Sequence, residues 1–404
     1  MNKTKSDAPL VLFYWHDMWL PHSRFLLAEL RAWRDPSAVL ICGPSHRKAG
    51  ASVFYVDDTA PDCPPNPSKV ISQEVKTRCY SWRETLCTFT EWRRLILTHK
   101  PDILVICDEA LSLNVFLAGV ANRIYGRGVV LFYAFENIIQ RPDWREVWVC
   151  RDAKVLMNFL RKLARTVLVD RCLMPIRRRI VHGGLASYDE CVDVVRAYKW
   201  TPTMALQWWP VDVASFTADG PKERFELKCS FVVGFVGRFV AEKGIFDLIA
   251  AISLLEERFG IVFIGDGPER HSLDEQVIAC GLQHRCKIVP PQHARSLAAS
   301  YRAMDLLVLP SKATKGWKEQ YGRVLVEATL CGTPIAGSDV GAIPTVVGNP
   351  SMIFPAGDIE ALASIIRRAE AATTPEVRSA NAAPSSFLAA WLQLANSCRR
   401  SQNA

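Results

Sequence analysis

The stretch KEQYGRVLVEA, at residues 318–328, guides the interpretation of the whole chain. Its two carboxylates, Glu319 and Glu327, have seven residues between them, and Gly322 precedes an amphipathic helical pattern. A glycine before a helix leaves backbone amides open at the positive end of the helix dipole, where an anion is favoured. The nearby carboxylates can accept hydrogen bonds from hydroxyl groups. The pattern therefore favours a phosphate ester that carries hydroxyls, such as a sugar nucleotide.

The helix after Gly322 is one of a series of helices that alternate with short apolar strands. Strands of this kind, with helices between them, are typical of a parallel sheet covered on both faces. In the second half of the chain we predict strands at 230–236, 260–264, 286–289, 305–309 and 333–336, and helices at 243–257, 268–280, 293–303, 322–331 and 359–372.

A similar series occupies the first half of the chain. Because 404 residues exceed the size at which one core keeps growing, we expect two doubly wound α/β domains. The breaker-rich segment 217–222 marks the boundary between them. The predicted domains are 1–218 and 219–384, followed by a helix and tail at 385–404. In the first domain we predict strands at 10–15, 38–42, 52–56, 102–107 and 129–134, and helices at 23–33, 82–98 and 112–125.

The composition is typical of a globular protein from a reducing compartment. The formal net charge of +8 is modest at this length, and we expect no nucleic-acid partner. The 13 cysteines are scattered singly without a CxxC spacing, which indicates reduced thiols and argues against a zinc site. No apolar stretch reaches the roughly 18 residues that a membrane-spanning helix needs. We therefore expect a chain that does not cross a bilayer.

Segment 151–180 combines arginines and lysines with apolar residues at helical spacing. Its nine cations face only two acidic residues, Asp152 and Asp170. A basic amphipathic helix can lie on an anionic membrane, where each cation contributes about 1 kcal/mol near the surface. A domain helix whose apolar face belongs to the core explains the same pattern. Both interpretations stay open at this point.

Two cations follow the first predicted strand of the second domain. Arg238 comes directly after Gly237, and Lys243 opens the next helix. Both therefore belong to one strand-end loop, where a planar guanidinium and a compact ammonium could together neutralise a diphosphate. The turn GDGP at 265–268 is not the GxGxxG fingerprint of dinucleotide sites, which argues against a nicotinamide enzyme.

Residues 230–372 resemble the nucleotide-binding domain of the retaining glycosyltransferases of family 4, which have the GT-B fold. The resemblance implies two Rossmann-like domains facing across a cleft, with the C-terminal helix returning to the N-terminal domain. The matching motifs, in the order and spacing of the family, are VGR (236–238), EKG (242–244), IGDGP (264–268), DLLVLPS (305–311), EQYGRVLVEA (319–328), CGTPIAGSD (331–339), GAIP (341–344) and FPAGD (354–358).

The resemblance implies a role for each matching side chain. Arg238 and Lys243 would hold the donor diphosphate, and Glu319 would contact the donor sugar, so these three form the predicted catalytic set. Glu327 would bind the ribose hydroxyls. The other predicted donor-binding residues, which would act largely through their backbone, are Gly237, Gly322, Arg323 and Val324.

The first domain resembles the family more loosely. The Gly-Gly pair of many members is replaced by HDMWLP at 16–21. The loop that contains Asp108 occupies the position where many members carry a catalytic-site histidine. We expect the acceptor to contact residues at the strand ends of this domain. These predicted acceptor-side residues are His16, Glu109, Glu136 and Asn137.

The resemblance predicts a retaining glycosyltransferase that needs neither a metal nor a cofactor. Its donor would be a nucleoside diphosphate sugar, and its acceptor a saccharide or lipid-linked saccharide, as in bacterial polysaccharide or glycolipid biosynthesis. We expect it in the cytoplasm or peripherally on the cytoplasmic face of the inner membrane. Two alternatives are a sugar-nucleotide epimerase of the same fold and a non-catalytic subunit that binds nucleotide sugars.

Overall fold

The backbone forms two compact units. Of the described residues, those before Trp209 and those after Ala382 form the first unit, and those from Trp209 to Ala382 form the second. The sequence places the boundary at 218, so the division of the backbone falls earlier in the chain. The computed structural model describes residues 10–15, 39–42, 82–108, 112–134, 156–157, 159–160, 163, 173–200, 203–205, 211–314, 317–371, 391 and 393–398.

The first unit contains a six-stranded parallel sheet in the order β2-β1-β3-β4-β5-β6. Its central strands are apolar throughout and buried, as expected for a sheet covered on both faces. The strands are β1 Val11–Trp15, β2 Val39–Cys42, β3 Ile103–Cys107, β4 Val129–Ala134, β5 Gly183–Ala186 and β6 Thr203–Ala205, and the described helices are α1 Trp82–His99, α2 Leu113–Tyr125, α3 Met174–Ile180 and α4 Asp189–Ala197.

Strand β5 has no strand-like sequence, and neither this strand nor its neighbours α4 and β6 are among the elements predicted above. Its residues are Gly-Gly-Leu-Ala, which carry little intrinsic preference for a strand. Gly184 is required here by packing, because a Cβ atom at this position would lie 2.3 Å from the ring of Phe132 on β4. Tertiary contact, rather than local propensity, therefore decides this strand. The predicted helix 23–33 and strand 52–56 lie outside the described residues.

The chain returns to the first unit at its C-terminal end, as predicted. The ring of Trp391 is fully buried and packs edge-on against Tyr133 of β4, with the ring centroids 5.9 Å apart. The thiol of Cys398 donates to the carbonyl oxygen of His182 over 3.4 Å. These contacts fasten the last helical residues to the first sheet.

The second unit contains another six-stranded parallel sheet, in the order β12-β11-β10-β7-β8-β9. The strands are β7 Phe231–Val236, β8 Phe259–Ile264, β9 Cys286–Val289, β10 Leu306–Leu309, β11 Ile335–Ser338 and β12 Ile353–Phe354. The helices are α5 Ile245–Ser253, α6 Arg270–Ala279, α7 Ala294–Arg302, α8 Arg323–Leu330, α9 Ile343–Val347 and α10 Ile359–Ala371, with 3-10 turns at Ala241–Lys243 and Pro350–Met352.

The order of this second sheet fixes where a ligand can bind. Strand β7 comes first in the unit, the chain then moves outward through β8 and β9, and it returns to the other side of β7 with β10. The direction of winding reverses between β7 and β10. In open α/β sheets ligands bind outside the carboxyl ends of the strands at such a switch point. A ligand is therefore expected at the loops that follow β7 and β10.

Two of the differences between predicted and observed bounds have a visible physical cause. Helix α5 ends at Ser253 rather than 257, because the guanidinium of Arg285 binds the carbonyl oxygens of Ile252, Leu255, Glu256 and Phe259 at 2.8–3.1 Å. These carbonyls need a partner at a helix end, and Arg285 supplies it. Strand β11 begins two residues later than predicted, since Thr333 is held in a turn by hydrogen bonds to Ala328 and Tyr301.

Candidate active site

The loops after β7 and β10 are in direct contact. Gly244 closes the 3-10 turn Ala241–Lys243 with a φ of +69°, a conformation that favours glycine. A Cβ atom here would lie 1.9 Å from the carbonyl oxygen of Pro310, the first residue after β10. This close approach brings the lysine that precedes Gly244 beside the loop that carries the first glutamate of the motif.

Lys243 and Glu319 form a short ion pair. The ammonium lies 2.6 Å from the Oε2 atom of Glu319, whose side chain is 9% exposed. The hydroxyl of Ser311 donates to the same oxygen over 2.9 Å. The ammonium also lies over the indole of Trp317, 5.0 Å from the ring centroid, which is within the range of a cation–π contact. The structure therefore joins two predicted catalytic residues and adds Ser311 and Trp317.

This pairing gives the loop a cation in a defined position. The ammonium and the Ser311 hydroxyl both contact one oxygen of this buried carboxylate, and the contact holds the ammonium in one place at the switch point. An incoming diphosphate would meet a cation that is already oriented and keeps donors to spare, since an ammonium carries three. Arg238, on the same loop, is 44% exposed and makes a long contact of 3.9 Å with Glu242.

Helix α8 begins at Arg323, directly after Gly322. Gly322 is the N-cap residue and adopts a left-handed conformation, with φ of +77°. Val324 is the second residue of the helix, so the first amides of α8 open beside the Glu319 loop. Tyr321, just before the glycine, is buried, and burial raises the pKa of its hydroxyl to about 12. The helix end predicted from the sequence is present, and anion binding there stays a prediction.

Glu327, one turn into α8, is buried and has partners on both oxygens. The hydroxyl of Tyr301 donates to Oε2 over 2.8 Å, and Nε of Arg323 lies 3.1 Å from Oε1. Burial raises the pKa of Glu327, and nearby Asp212 adds to the rise, whereas Arg323 and the Tyr301 hydroxyl oppose it. The pKa of Tyr301 is itself well above its ordinary value because of burial, so its hydroxyl is a donor.

Patterns in the sequence assign no role to Ser311, Trp317 or Tyr301. Ser311 is the last residue of DLLVLPS, but its partner is eight residues away across a loop. Tyr301 reaches Glu327 from helix α7, 26 positions earlier in the chain. No spacing rule links these positions, because the contacts depend on how the loops and helices pack.

The predicted acceptor-side residues His16, Glu109, Glu136 and Asn137 lie outside the described residues. Their described neighbour Asp108 follows β3, and its Oδ2 atom accepts from the amide of Asn114 over 3.3 Å. Asn114 is buried and accepts in turn from the indole of Trp92 over 2.9 Å. The Asp108 carboxylate at the end of β3 is thus oriented by consecutive hydrogen bonds from Trp92 to Asn114 and from Asn114 to Asp108.

Comparison with known proteins places these features in a family. The family model described as "Glycosyl transferases group 1" matches residues 221–384. The 2-deoxystreptamine N-acetyl-D-glucosaminyltransferase of Streptomyces fradiae is 38% identical over 142 residues, which cover 32% of this chain and 32% of that protein. The D-inositol 3-phosphate glycosyltransferase of Salinispora tropica is 32% identical over 182 residues, covering 39% of this chain and 36% of that protein.

The whole chain resembles solved structures. The structure of Anabaena HepE in complex with UDP and glucose superposes with a TM-score of 0.60, over 98% of this chain and 99% of that chain, at 16% sequence identity. This likeness concerns the fold, and the sequence matches span about a third of the curated relatives. The chain therefore has the GT-B fold predicted from the sequence, and its residues 221–384 match the glycosyl transferases group 1 family.

Proposed function

We propose that the protein transfers a sugar from a nucleoside diphosphate sugar to a saccharide or lipid-linked saccharide, with retention at the anomeric carbon. The observation that carries the proposal is the grouping at the switch point of the second sheet. There an oriented ammonium, the amino end of α8 and two buried carboxylates lie on the loops after β7 and β10. Cations and helix amides suit a diphosphate, and the carboxylates suit sugar hydroxyls.

In the proposed reaction Lys243 and Arg238 stabilise the negative charge that develops on the departing diphosphate. Fixed charges placed where charge develops are worth most in a site from which water is excluded. A phosphate oxygen of the leaving group takes the proton of the acceptor hydroxyl on the same face of the sugar, which gives retention. Because these cations supply the positive charge, we expect activity to persist in EDTA.

In this proposal the two carboxylates contact different parts of the donor. Glu327 accepts hydrogen bonds from the ribose hydroxyls, and Glu319 contacts the transferred sugar while it holds Lys243 in place. Both side chains are buried, so each bond is made in surroundings poor in water. The predicted acceptor-side residues bind the other substrate, the acceptor. The relatives named as glycosyltransferases support the reaction class, and their acceptors differ from one another.

Binding of nucleotide sugars tests the proposal directly. We expect a thermal-shift panel of UDP-, GDP-, ADP- and dTDP-sugars to identify one donor that stabilises the protein. At about 100 times its dissociation constant, a donor adds about 2.7 kcal/mol to the free energy of unfolding. Product formation only with an added acceptor separates transfer from epimerisation, which needs none. If no nucleotide sugar of the panel stabilised the protein, the proposal would be refuted. Binding of a donor without any turnover would favour a non-catalytic subunit.

We also propose that the protein works on the cytoplasmic face of a membrane. The free thiols of the buried residues Cys331 and Cys398 fit a reducing compartment. No described helix is both long and apolar enough to span a bilayer. Within segment 151–180, the described side chains of Leu156, Met157, Leu160 and Ile176 are 45–53% exposed. Exposed apolar side chains beside cations are the features of an interfacial surface.

The three arginines of helix α3 are not equally placed to contact a membrane. Arg178 and Arg179 are exposed, whereas Arg177 is buried over the ring of Phe116 and donates to the carbonyl oxygen of Ser112 over 3.3 Å. Arg177 is therefore a core residue, and the core-helix interpretation of segment 151–180 describes this arginine. A test of membrane contact must leave Arg177 in place.

Replacing both Arg178 and Arg179 with glutamine is expected to weaken binding of the protein to anionic vesicles. With about 1 kcal/mol from each cation, the partition coefficient should fall about 30-fold, as measured by sedimentation with phosphatidylglycerol-containing vesicles at low salt. The matched control replaces Arg123 and Arg127, which are exposed on the same unit and carry the same charge. Equal losses for the two double variants would show a general charge effect and contradict a docking surface.

A further inference from the structure

Tyr301 lies behind the carboxylate that the proposed function assigns to the ribose. Its side chain is completely buried on helix α7, and its ring packs edge-on against Phe216, with the centroids 5.9 Å apart. Its backbone carbonyl oxygen accepts from the hydroxyl of Thr333 over 2.6 Å. The ring and the backbone are thus fixed independently of Glu327. The position of the phenol oxygen is set by the fold.

The phenol makes one directed contact with the site. It donates to Oε2 of Glu327 over 2.8 Å, while Arg323 stands on the Oε1 side at 3.1 Å. The hydrogen bond from Tyr301 and the ion pair with Arg323 come from different helices, so together they restrict the rotation of the carboxylate plane. An ionised carboxylate has about four lone-pair directions, and these two contacts leave room for others. A vicinal diol could use the remaining lone pairs.

We propose that Tyr301 is a positioning residue for donor binding, which orients the Glu327 carboxylate and keeps it able to accept from both ribose hydroxyls. The inference rests on the proposed function, because it takes Glu327 as the ribose contact. Tyr301 does not touch the substrate in this proposal. It acts through Glu327 alone, and this feature makes the role testable.

The charges around Glu327 set the direction of the expected pH dependence. Arg323 on its own helix and the Tyr301 hydroxyl on α7 lower the pKa of Glu327, whereas burial and Asp212, on the segment before β7, raise it. The balance is a raised pKa. Donor binding needs the ionised carboxylate, so affinity should fall as the pH falls through this pKa. Removing the phenol hydroxyl removes a group that favours ionisation and raises the pKa further.

The test compares the wild type with Tyr301→Phe by calorimetric titration with UDP, or with GDP or ADP if UDP does not bind, from pH 5 to pH 9. Loss of one hydrogen bond to a charged group should move the acid limb of the affinity profile up by about one pH unit. Within that window we expect about tenfold weaker binding, and a much smaller change at the alkaline end.

Two further measurements distinguish positioning from a structural defect. The 2′,3′-dideoxy form of the same nucleotide lacks the ribose hydroxyls, so Tyr301→Phe should leave its affinity unchanged. In a Glu327→Gln background, which has no group to titrate, Tyr301→Phe should not alter the pH profile. The control is Tyr125→Phe, which removes the same atom from a partly exposed ring in the first unit and should bind as the wild type does.

Stability provides a second readout. A carboxyl group with a raised pKa contributes stability that is present below its ordinary pKa and is lost as the pH rises through the raised value. Tyr301→Phe should extend this loss to higher pH. If the wild type binds none of the three ribonucleotides, Glu327 has no ribose diol to accept from and the inference fails. If no sugar nucleotide of the thermal-shift panel stabilises the protein either, the proposed function fails with it. If the wild type binds and Tyr301→Phe has the same pH profile, only the role of Tyr301 is refuted.

Discussion

Replacing Lys243 with alanine is expected to lower kcat/KM by about 10²–10³-fold, the loss that follows removal of one well-placed donor to a developing negative charge. The reason is that the ammonium is fixed at the switch point by Glu319 and Trp317, beside the first amides of α8. The measurement is steady-state kinetics with the donor identified by thermal shift. Lys243→Arg should recover part of the loss, because it keeps the charge but changes its shape.

The same substitution also affects folding, and this effect must be separated from catalysis. Without the ammonium, the buried carboxylate of Glu319 keeps the hydroxyl of Ser311 but loses its counter-charge. Breaking a buried pair by removing one partner is destabilising, by about 3–5 kcal/mol when both groups are fully buried and by less here, since Lys243 is 20% exposed. Adding Glu319→Gln to Lys243→Ala should restore much of the stability and none of the activity.

Lys312 provides a matched control for Lys243. It forms an ion pair of similar length, 2.7 Å, with Asp247, and its side chain is 40% exposed. Asp247 is buried and its Oδ2 atom has no hydrogen-bond partner among the described residues. Lys312→Ala therefore leaves a buried carboxylate without its cation, as Lys243→Ala does. Similar kinetic losses in the two variants, or near-normal turnover in Lys243→Ala, would contradict the assignment of Lys243.

Replacing Gly341 with alanine is expected to disturb the site although Gly341 has no side chain. Its φ is +58°, and an added Cβ atom would lie 2.0 Å from the carbonyl oxygen of Glu319. The next amide, of Ala342, donates to that same oxygen over 3.1 Å. The methyl group must therefore displace the backbone of Glu319. A displacement of about 1 Å can cost about 10²-fold in rate, and we expect a loss of this size in kcat/KM.

Gly348→Ala separates displacement from backbone strain. Gly348 has a similar φ of +66°, but an added Cβ atom would meet only the carbonyl oxygen of Thr345, at 4.0 Å. The left-handed conformation costs a residue with a Cβ atom about 1–2 kcal/mol, and both variants should lose this much in the free energy of unfolding. Only Gly341→Ala should lose more, together with activity. Equal effects in the two variants would mean that contact with Glu319 is unimportant.

Local patterns were sufficient to predict most of the second unit. The strand prediction for 286–289 agrees with Cys286–Val289, and the predicted helix end before α8 is present at Gly322. In these elements the apolar periodicity and the breakers agree with the packing. The first unit was harder to predict, because β5 is built from two glycines and two small or aliphatic residues whose strand conformation follows from pairing with β4 and β6.

The sequence by itself determined the fold class, the motif with its two glutamates and the cations expected to face a diphosphate, because these depend on residue type and short spacing. Only the tertiary structure decided which groups are partners. Lys243 meets Glu319 across 76 positions, Tyr301 meets Glu327 across 26, and Arg177 turns into the core away from its neighbours. Such contacts follow from the order of parallel strands, which brings distant loops together at one edge of the sheet. Hydrogen bonds and charges then act over a few ångströms in space, whatever their separation along the chain.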